Sequence, residues 1–241
     1  MKLKYDFHLH SCLSPCGDAD MSPANLVRMA SVLELNAIAL CDHNTVGNCS
    51  SAMQVGNEVG VTVIPGMELC TSEEIHLVCL FDTLRGAEKF DALVKSTLPP
   101  IKNKPQLYGE QVYMDCADNI LGQEEILLVT ASGISIEEAP GLCRACGGIC
   151  YPAHVERSSY SVFTSLGVFP THLGFCCAEV SLKYKDAAGF AAQHPSMRDL
   201  RILRSSDAHY LENMSEALDT LEVGENTVKA ILDALTTAPH R

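Results

Sequence analysis

The chain has 241 residues, with 17 Lys and Arg against 30 Asp and Glu, a formal net charge of −13. That balance excludes a broad cationic footprint on DNA or RNA, which needs clustered Lys and Arg, but not a short oligonucleotide held at one locally positive point. The hydrophobic fraction of 47% is that of a globular protein, no apolar run approaches the ~20 residues of a membrane span, and the first six residues lack a signal-peptide core; the expectation is a cytoplasmic protein without membrane contact.

The length fits one domain over 1–241. Residues 4–9 read as a first strand, ending at His8-Leu9-His10. Ser22-Pro23 opens a helix, with Leu26, Val27, Met29, Ala30 and Leu33 at helical spacing. A second apolar run, 37–41, ends in Asp42-His43, and a helix is predicted over 48–59. The third run, 61–65, ends in Gly66-Met67-Glu68; the fourth, 75–81, has His76 near its start. A helix over 87–98 is stopped by Pro99-Pro100. The stretch 102–122 breaks the alternation, and its pieces 111–113 and 119–121 suggest an inserted hairpin. A helix over 135–146 opens with the capping-box pattern Ser135-Ile136-Glu137-Glu138. The fifth run, 148–153, ends at His154; the sixth is 174–182, followed by a helix over 186–193. The seventh, 200–205, ends in Ser206-Asp207-Ala208-His209, and a helix over 226–235 closes the set.

Strands alternating with helices imply a mostly parallel sheet or an α/β barrel. In such a barrel catalytic groups collect where the strands end. His8 and His10 lie two apart on a strand, so both face one side. Such a pair is weak evidence alone; its company decides. Asp18, His43, Glu68, His76, His154, Asp207 and His209 add imidazole and carboxylate donors, most of them at predicted strand ends. His172, His194 and His240 fall elsewhere and read as surface or loop histidines. Nitrogen and carboxylate donors without thiolate suit Zn²⁺, Mn²⁺ or Fe²⁺. So many donors exceed the needs of one ion, and two or three divalent metals sharing carboxylates is the economical reading. Such sites activate water for attack on phosphorus.

His8-Leu9-His10, Asp42-His43, Gly66-Met67-Glu68, His154 and Ser206-Asp207-Ala208-His209 resemble, in order, the motifs of the PHP (polymerase and histidinol phosphatase) superfamily. The resemblance runs from residue 6 to about 210. It implies a distorted (β/α)7 barrel with the metal site at the C-terminal ends of the strands, a trinuclear site and phosphoester hydrolysis. It further implies that His8, His10, Glu68 and Asp207 bind a first metal. Glu68 would bridge to a second, completed by His76 and His154. Asp18, His43 and His209 would hold the third, with His43 and His209 orienting it for catalysis. The segment Ser14–Asp20 is expanded relative to the family pattern. Counting back from Met21-Ser22-Pro23 favours Asp18 over Asp20, with Cys16 an outside candidate. The expected substrate is a small phosphorylated molecule: a nucleotide, a short RNA 5′ end, or a monoester such as histidinol phosphate. Arg157, close behind His154, is a candidate phosphate ligand, and Lys183 a weaker one. A salt bridge from Arg157 to Glu156 or another acid is the plainer role.

The 12 cysteines read as reduced thiols. Cys143-x-x-Cys146 with Cys150, near Cys176-Cys177, admits a zinc or redox reading, but small apolar packing is favoured. Two rival functions remain: an amidohydrolase-type C–N hydrolase, which also opens with His-x-His, and a non-catalytic metal-binding regulatory module.

Overall fold

A computed structural model describes residues 1–217 and 219–237. In chain order the elements are β1 (Lys2–Leu9), α1 (Pro23–Val32), β2 (Ala37–Leu40), α2 (Cys49–Val59), β3 (Thr62–Cys70), β4 (His76–Phe81), α3 (Leu84–Lys95), α4 (Pro105–Tyr108), β5 (Val112–Met114) and β6 (Ile120–Gln123). They continue as α5 (Ala139–Ala145), β7 (Gly148–Pro152), α6 (Val162–Leu166), β8 (Cys177–Glu179), α7 (Ala187–Gln193), β9 (Arg201–Leu203), β10 (Thr220–Glu222) and α8 (Val228–Thr236).

Six strands form one sheet in the order β10-β1-β2-β3-β4-β7, and β8 pairs with β9. The β8–β9 pair sits between the sheet's flanks. Val155 N donates to Glu179 O at 2.9 Å on one side, and His10 N donates to Ala208 O at 3.1 Å on the other. The result is a curled, barrel-like α/β fold. Each of the seven predicted runs holds a strand, β1, β2, β3, β4, β7, β8 and β9, but they lie in two ladders and β10 joins the sheet beside β1, so the fold is not a regular (β/α)7 barrel.

Alternation along the strands sorts the core into two layers. Ala37, Ala39, Ile64, Val78, Leu80, Tyr151, Cys177 and Leu203 pack together on the concave side. Ile38, Leu40, Val63, Met67, Leu77, Phe81 and Ala178 pack outward with α1, α2 and α3. Glu68, His76 and Glu179 share the parity of the concave set. They form its polar cap.

Two local features aim the candidate ligands. Opposite β2, β1 carries an extra residue: Asp6 pairs with Ile38 but Leu9 with Leu40. Leu3, Tyr5 and Phe7 lie in the concave layer and Leu9 in the outer one. The bulge therefore turns His8 and His10 to the side that Phe7 occupies. Strand β4 runs antiparallel to both β3 and β7. The link from β3 to β4 is the turn 71–75, too short for a helical crossover. Reversal brings the first residue of β4, His76, to the end of the sheet where β1, β2, β3 and β7 finish. The expectation of a mostly parallel sheet fails at this strand.

Other boundaries moved for physical reasons. Strand β3 does not stop at Pro65 but continues through Glu68 to Cys70, since Pro65 still pairs with Leu40 and β4 covers the remainder. The Ser135/Glu138 capping bonds form, at 3.0 and 3.3 Å. The helix begins only at Ala139, because Pro140 cannot donate into the preceding turn. Strands β8 and β9 are three residues each, shorter than the apolar runs that contain them. Val112–Met114 and Ile120–Gln123 pair antiparallel. Among the described residues, no helix is long and apolar enough to cross a membrane.

Candidate metal centre

Glu68 lies at the centre of the polar cap, 1% exposed. Its Oε1 stands 2.8 Å from His76 Nδ1, 3.1 Å from His154 Nε2 and 3.3 Å from His8 Nε2. Its Oε2 stands 3.0 Å from His43 Nδ1 and 3.4 Å from His10 Nε2. Asp207 completes the first group, with Oδ1 3.0 Å from His10 Nε2 and 3.5 Å from His8 Nε2.

Proton bookkeeping shows what this group lacks. Ser14 Oγ donates to Asp42 Oδ1 at 2.7 Å, so it can only accept at 2.9 Å from His10 Nδ1. His8 Nδ1 faces both oxygens of Glu179, at 3.0 and 3.1 Å. Each neutral ring therefore carries its proton on Nδ1 and a bare lone pair on Nε2. Those lone pairs face each other at 3.2 Å, among carboxylate oxygens. Such a set is stable only around cations. A tetrahedral ion with ~2.1 Å bonds needs donor–donor edges of about 3.4 Å. The observed edges, 3.0 to 3.5 Å, fit.

Without an ion, protons take that role. Burial pushes His8 down, but Glu179, Asp207 and Glu68 lift it well above its ordinary value. Burial also opposes His43, which Cys16 and Glu68 raise. Glu68, which burial alone would raise, is held well below the carboxylate range by His76, His8 and His43. Asp207 is lowered likewise by His8 and His10 against burial. His76 goes the other way: burial outweighs Glu68 and pushes it to about 4, leaving a neutral ring of ligand type.

Three groups of donors lie within 4.8 Å of one another: His8, His10, Glu68 and Asp207; His43, Glu68 and His76; and His10, His43 and His209. The first is the quartet expected from the sequence. In the second, His43 stands where His154 was expected, although His154 touches the same Glu68 oxygen as His76. The third contains His43 and His209 but not Asp18. Asp18 accepts from Asp20 N at 2.9 Å, closing a local turn. Against the opposing effect of burial, His43 and His209 bring the Cys16 thiol down to about 5, but among the described residues Cys16 joins none of the three donor groups.

Arg157 Nη1 binds Asp207 Oδ2 at 2.7 Å; Glu156 turns away to Ser181. Lys183 is exposed and is not brought against the cluster. His172 pairs with Glu137 at the surface and His194 packs on Phe163 and Phe190; His240 lies outside the described residues. Cys143 is fully buried, with Cys146 and Cys150 partly buried against the same core. Among the described residues, none of the donor groups contains these thiols.

Several supporting residues escaped sequence reading. Glu179, fully buried, holds His8 and accepts from His154 N at 3.1 Å. Asp6 accepts from His8 N and Ser206 N at 3.2 to 3.3 Å, and burial raises its carboxyl to about 6. Tyr160 stacks on His76 at 4.6 Å between ring centroids. Left-handed backbone at Asn44 (φ 51°), His154 (28°) and Asp207 (51°) marks conformations that the surroundings must enforce. Asn44 is held by side-chain bonds to Leu128 O, Thr130 O and Cys70 N. The only sequence signal for Glu179 was parity with Cys177 on an apolar run.

Three similarities bear on this arrangement. A 5′-3′ exoribonuclease of Haemophilus influenzae is 40% identical over 100 residues, 40% of this chain and 35% of that protein. The lesion-specific endonuclease Q of Pyrococcus furiosus has the same fold, with a TM-score of 0.72 at 17% identity, over 98% of this chain and 56% of that one. A provisionally assigned metal-dependent phosphoesterase of Bifidobacterium adolescentis gives 0.60 at 18% identity, over 96% and 95% of the two chains. This chain thus spans about a third of the exoribonuclease and just over half of the endonuclease. The PHP domain model matches residues 6–133, a stretch carrying His8, His10, His43, Glu68 and His76, while His154, Asp207 and His209 lie beyond it. With more than half of its 241 residues matched, the chain belongs to the PHP domain family.

Proposed function

We propose that the protein is a metal-dependent phosphoesterase that hydrolyses a nucleotide or the phosphorylated end of a short oligonucleotide. The observation that carries this reading is the sharing of donors: Glu68, His10 and His43 each belong to two of the three groups. Shared donors place cations side by side, the arrangement suited to both the attacking and leaving oxygens of a phosphoester. The ions would supply Lewis acidity and an activated water near neutral pH.

The chain's own residues then have defined tasks. His8, His10, Glu68 and Asp207 hold one ion, His43, Glu68, His76 and His154 the next, and His10, His43 and His209 a third. Arg157, 38% exposed on Asp207, is placed to pass from that carboxylate to a substrate phosphate once cations neutralise the cluster. A cavity of about 690 Å³ opens beside Cys16 and Tyr210 against Tyr108 of the inserted segment. It would take the organic part of the substrate, with the two tyrosines available to stack a base.

The test is phosphate release by metal-free protein and by protein reloaded with Zn²⁺, Mn²⁺ or Fe²⁺. The panel includes nucleoside monophosphates, 5′-phosphorylated oligonucleotides and histidinol phosphate. Turnover that depends on metal and vanishes in His10→Ala supports the reading. A fully metallated but inert protein would favour a regulatory module, and C–N hydrolysis an amidohydrolase.

Arg157→Ala should raise KM for the phosphoester roughly 10- to 100-fold, since a charge-assisted contact is worth about 1.5–3 kcal/mol. Metal content should not change. If metal is lost and KM stays constant, Arg157 serves Asp207 and not the substrate.

A further inference from the structure

We propose that Asn48 is a positioning residue for substrate specificity: its side-chain amide holds the inserted hairpin in place as a wall of the cavity that takes the organic part of the substrate. The proposal rests on the phosphoesterase reading above and assigns recognition of that organic part to the segment between α3 and α5.

The hairpin needs outside support. Strands β5 and β6 form a sheet of two strands, and such a ribbon is marginal in water by itself. Apolar cover on β6 is thin, with Ile120 and Leu121 67% and 68% exposed. The other edge of β5 is met by the body of the protein, and Asn48 meets it as a strand would. Asn48 Nδ2 donates to Val112 O at 3.1 Å, and its Oδ1 accepts from Met114 N at 3.0 Å. One side-chain amide thus spans residues i and i+2 of the edge, as a residue of a parallel strand does. Two further bonds flank this bridge: Val112 N donates to Cys12 O at 3.0 Å, and Ser51 Oγ to Met114 O at 2.7 Å.

Asn48 forgoes its local role to make the bridge. Ser22, Thr83, Ser161 and Thr227 precede α1, α3, α6 and α8, and the side chain of each accepts from the amide three residues on. Asn48 holds the same position before α2 and makes no such bond. It is fully buried, and its Nδ2 also donates to Ser11 Oγ at 3.0 Å. Ser11 Oγ donates to Asp42 Oδ2 at 2.6 Å, and Ser14 Oγ, which accepts from the His10 ring, donates to Asp42 Oδ1. Hairpin and His10 are therefore registered to one buried carboxylate. Val112 and Met114 line the same cavity of about 690 Å³ as Tyr108 and Tyr210. The distance from this wall to the donor groups is set through Asn48, and with it the size of group that fits.

The test uses whole, metal-loaded protein and the variants Asn48→Ala and Ser51→Ala. Hydrogen exchange is read by mass spectrometry over 110–123, KM is measured for nucleoside monophosphates, and inorganic phosphate serves as a competitive inhibitor that reads the metal centre without an organic part. In Asn48→Ala, exchange over 110–123 should accelerate and KM should rise, each roughly tenfold, because two buried backbone groups lose their partner and the wall shifts. Metal content and the inhibition constant of phosphate should hold. Ser51→Ala should move exchange and KM the same way by less, since it leaves the Asn48 bridge intact. An unchanged KM in Asn48→Ala overturns this proposal and leaves the phosphoesterase reading standing. So does unchanged exchange over 110–123, or a rise in KM matched by an equal weakening of phosphate inhibition, which would place the effect at the metal centre. Wild-type protein that turns over no phosphoester overturns both readings.

Discussion

Glu68→Gln is expected to strip the protein of most of its bound metal and to lower kcat/KM on the order of 10⁴-fold, the scale seen when one member of an interdependent catalytic unit is removed. Among the described residues, Glu68 is the one carboxylate within 3.4 Å of five imidazoles, those of His8, His10, His43, His76 and His154. A neutral amide keeps the size and loses the charge that two donor groups share. Metal analysis by mass spectrometry and steady-state kinetics read the two effects separately. Full metal content in the variant would remove Glu68 from the bridging role.

The same substitution should change how metal-free stability depends on pH. Glu68 is depressed in the folded protein, so its contribution is present above its ordinary 4.5 and is lost as pH falls through the folded value. His8 and His43 are raised, so theirs is present below 6.5 and is lost as pH rises through their folded values. Metal-free protein should therefore lose stability on both sides of a window between these values. Asp6 acts within the window: burial raises it to about 6, so its contribution fades between 3.8 and that value. Glu68→Gln weakens the acid limb, which the depressed Asp207 shares, and weakens the alkaline one, because the imidazoles lose a partner. Denaturant titrations of chelator-treated protein from about pH 2 to 9 would show it. An unchanged acid limb would mean that other carboxylates carry it.

The clustered histidines and acids were legible because they obey strand parity and lie where apolar runs end. Their i, i+2 spacing and residue types survive in sequence. What was not legible depends on pairing. Whether β4 runs parallel or antiparallel decides that His76 joins the site, yet only the five-residue link 71–75 hinted at reversal. The β1 bulge, which points His8 and His10 inward, is defined by register against β2 and leaves no mark in composition. Glu179 and His8 are 171 positions apart, so no local pattern connects them. Asp42 sat beside His43 in a recognisable motif, but its carboxylate serves Ser11 and Ser14, and it reaches the donor cluster through Ser14, whose hydroxyl meets the His10 ring and accepts from His43 N. The insert between α3 and α5 obeyed no barrel periodicity, and its walls around Cys16 follow from tertiary packing alone.

Glu179→Gln should weaken metal binding at the His8 group 10- to 100-fold, the usual effect of removing a carboxylate behind a ligating histidine. Glu179 is fully buried, with Nδ1 of His8 at 3.0 Å from one oxygen and 3.1 Å from the other. The carboxylate fixes the tautomer, leaving Nε2 free toward the ion, and makes that nitrogen more basic. It also accepts from His154 N at 3.1 Å, so a single group steers ligands from β1 and from the end of β7. With its one oxygen at the Oε1 position, where both His8 Nδ1 and His154 N donate, glutamine keeps a shared acceptor but not the charge, so the fold should hold while the affinity drops. Activity should fall at low metal concentration and return as metal is raised, with KM for the phosphoester unchanged. A merely structural role would instead lower the melting temperature of metal-free protein and leave the metal titration midpoint in place. Glu179→Ala separates these cases further. It leaves His8 Nδ1 and His154 N without their acceptor, and by the measure of a broken buried ion pair costs about 3–5 kcal/mol. If added metal restores the glutamine variant and not the alanine variant, charge tunes the ion while hydrogen bonding holds the two histidines in place.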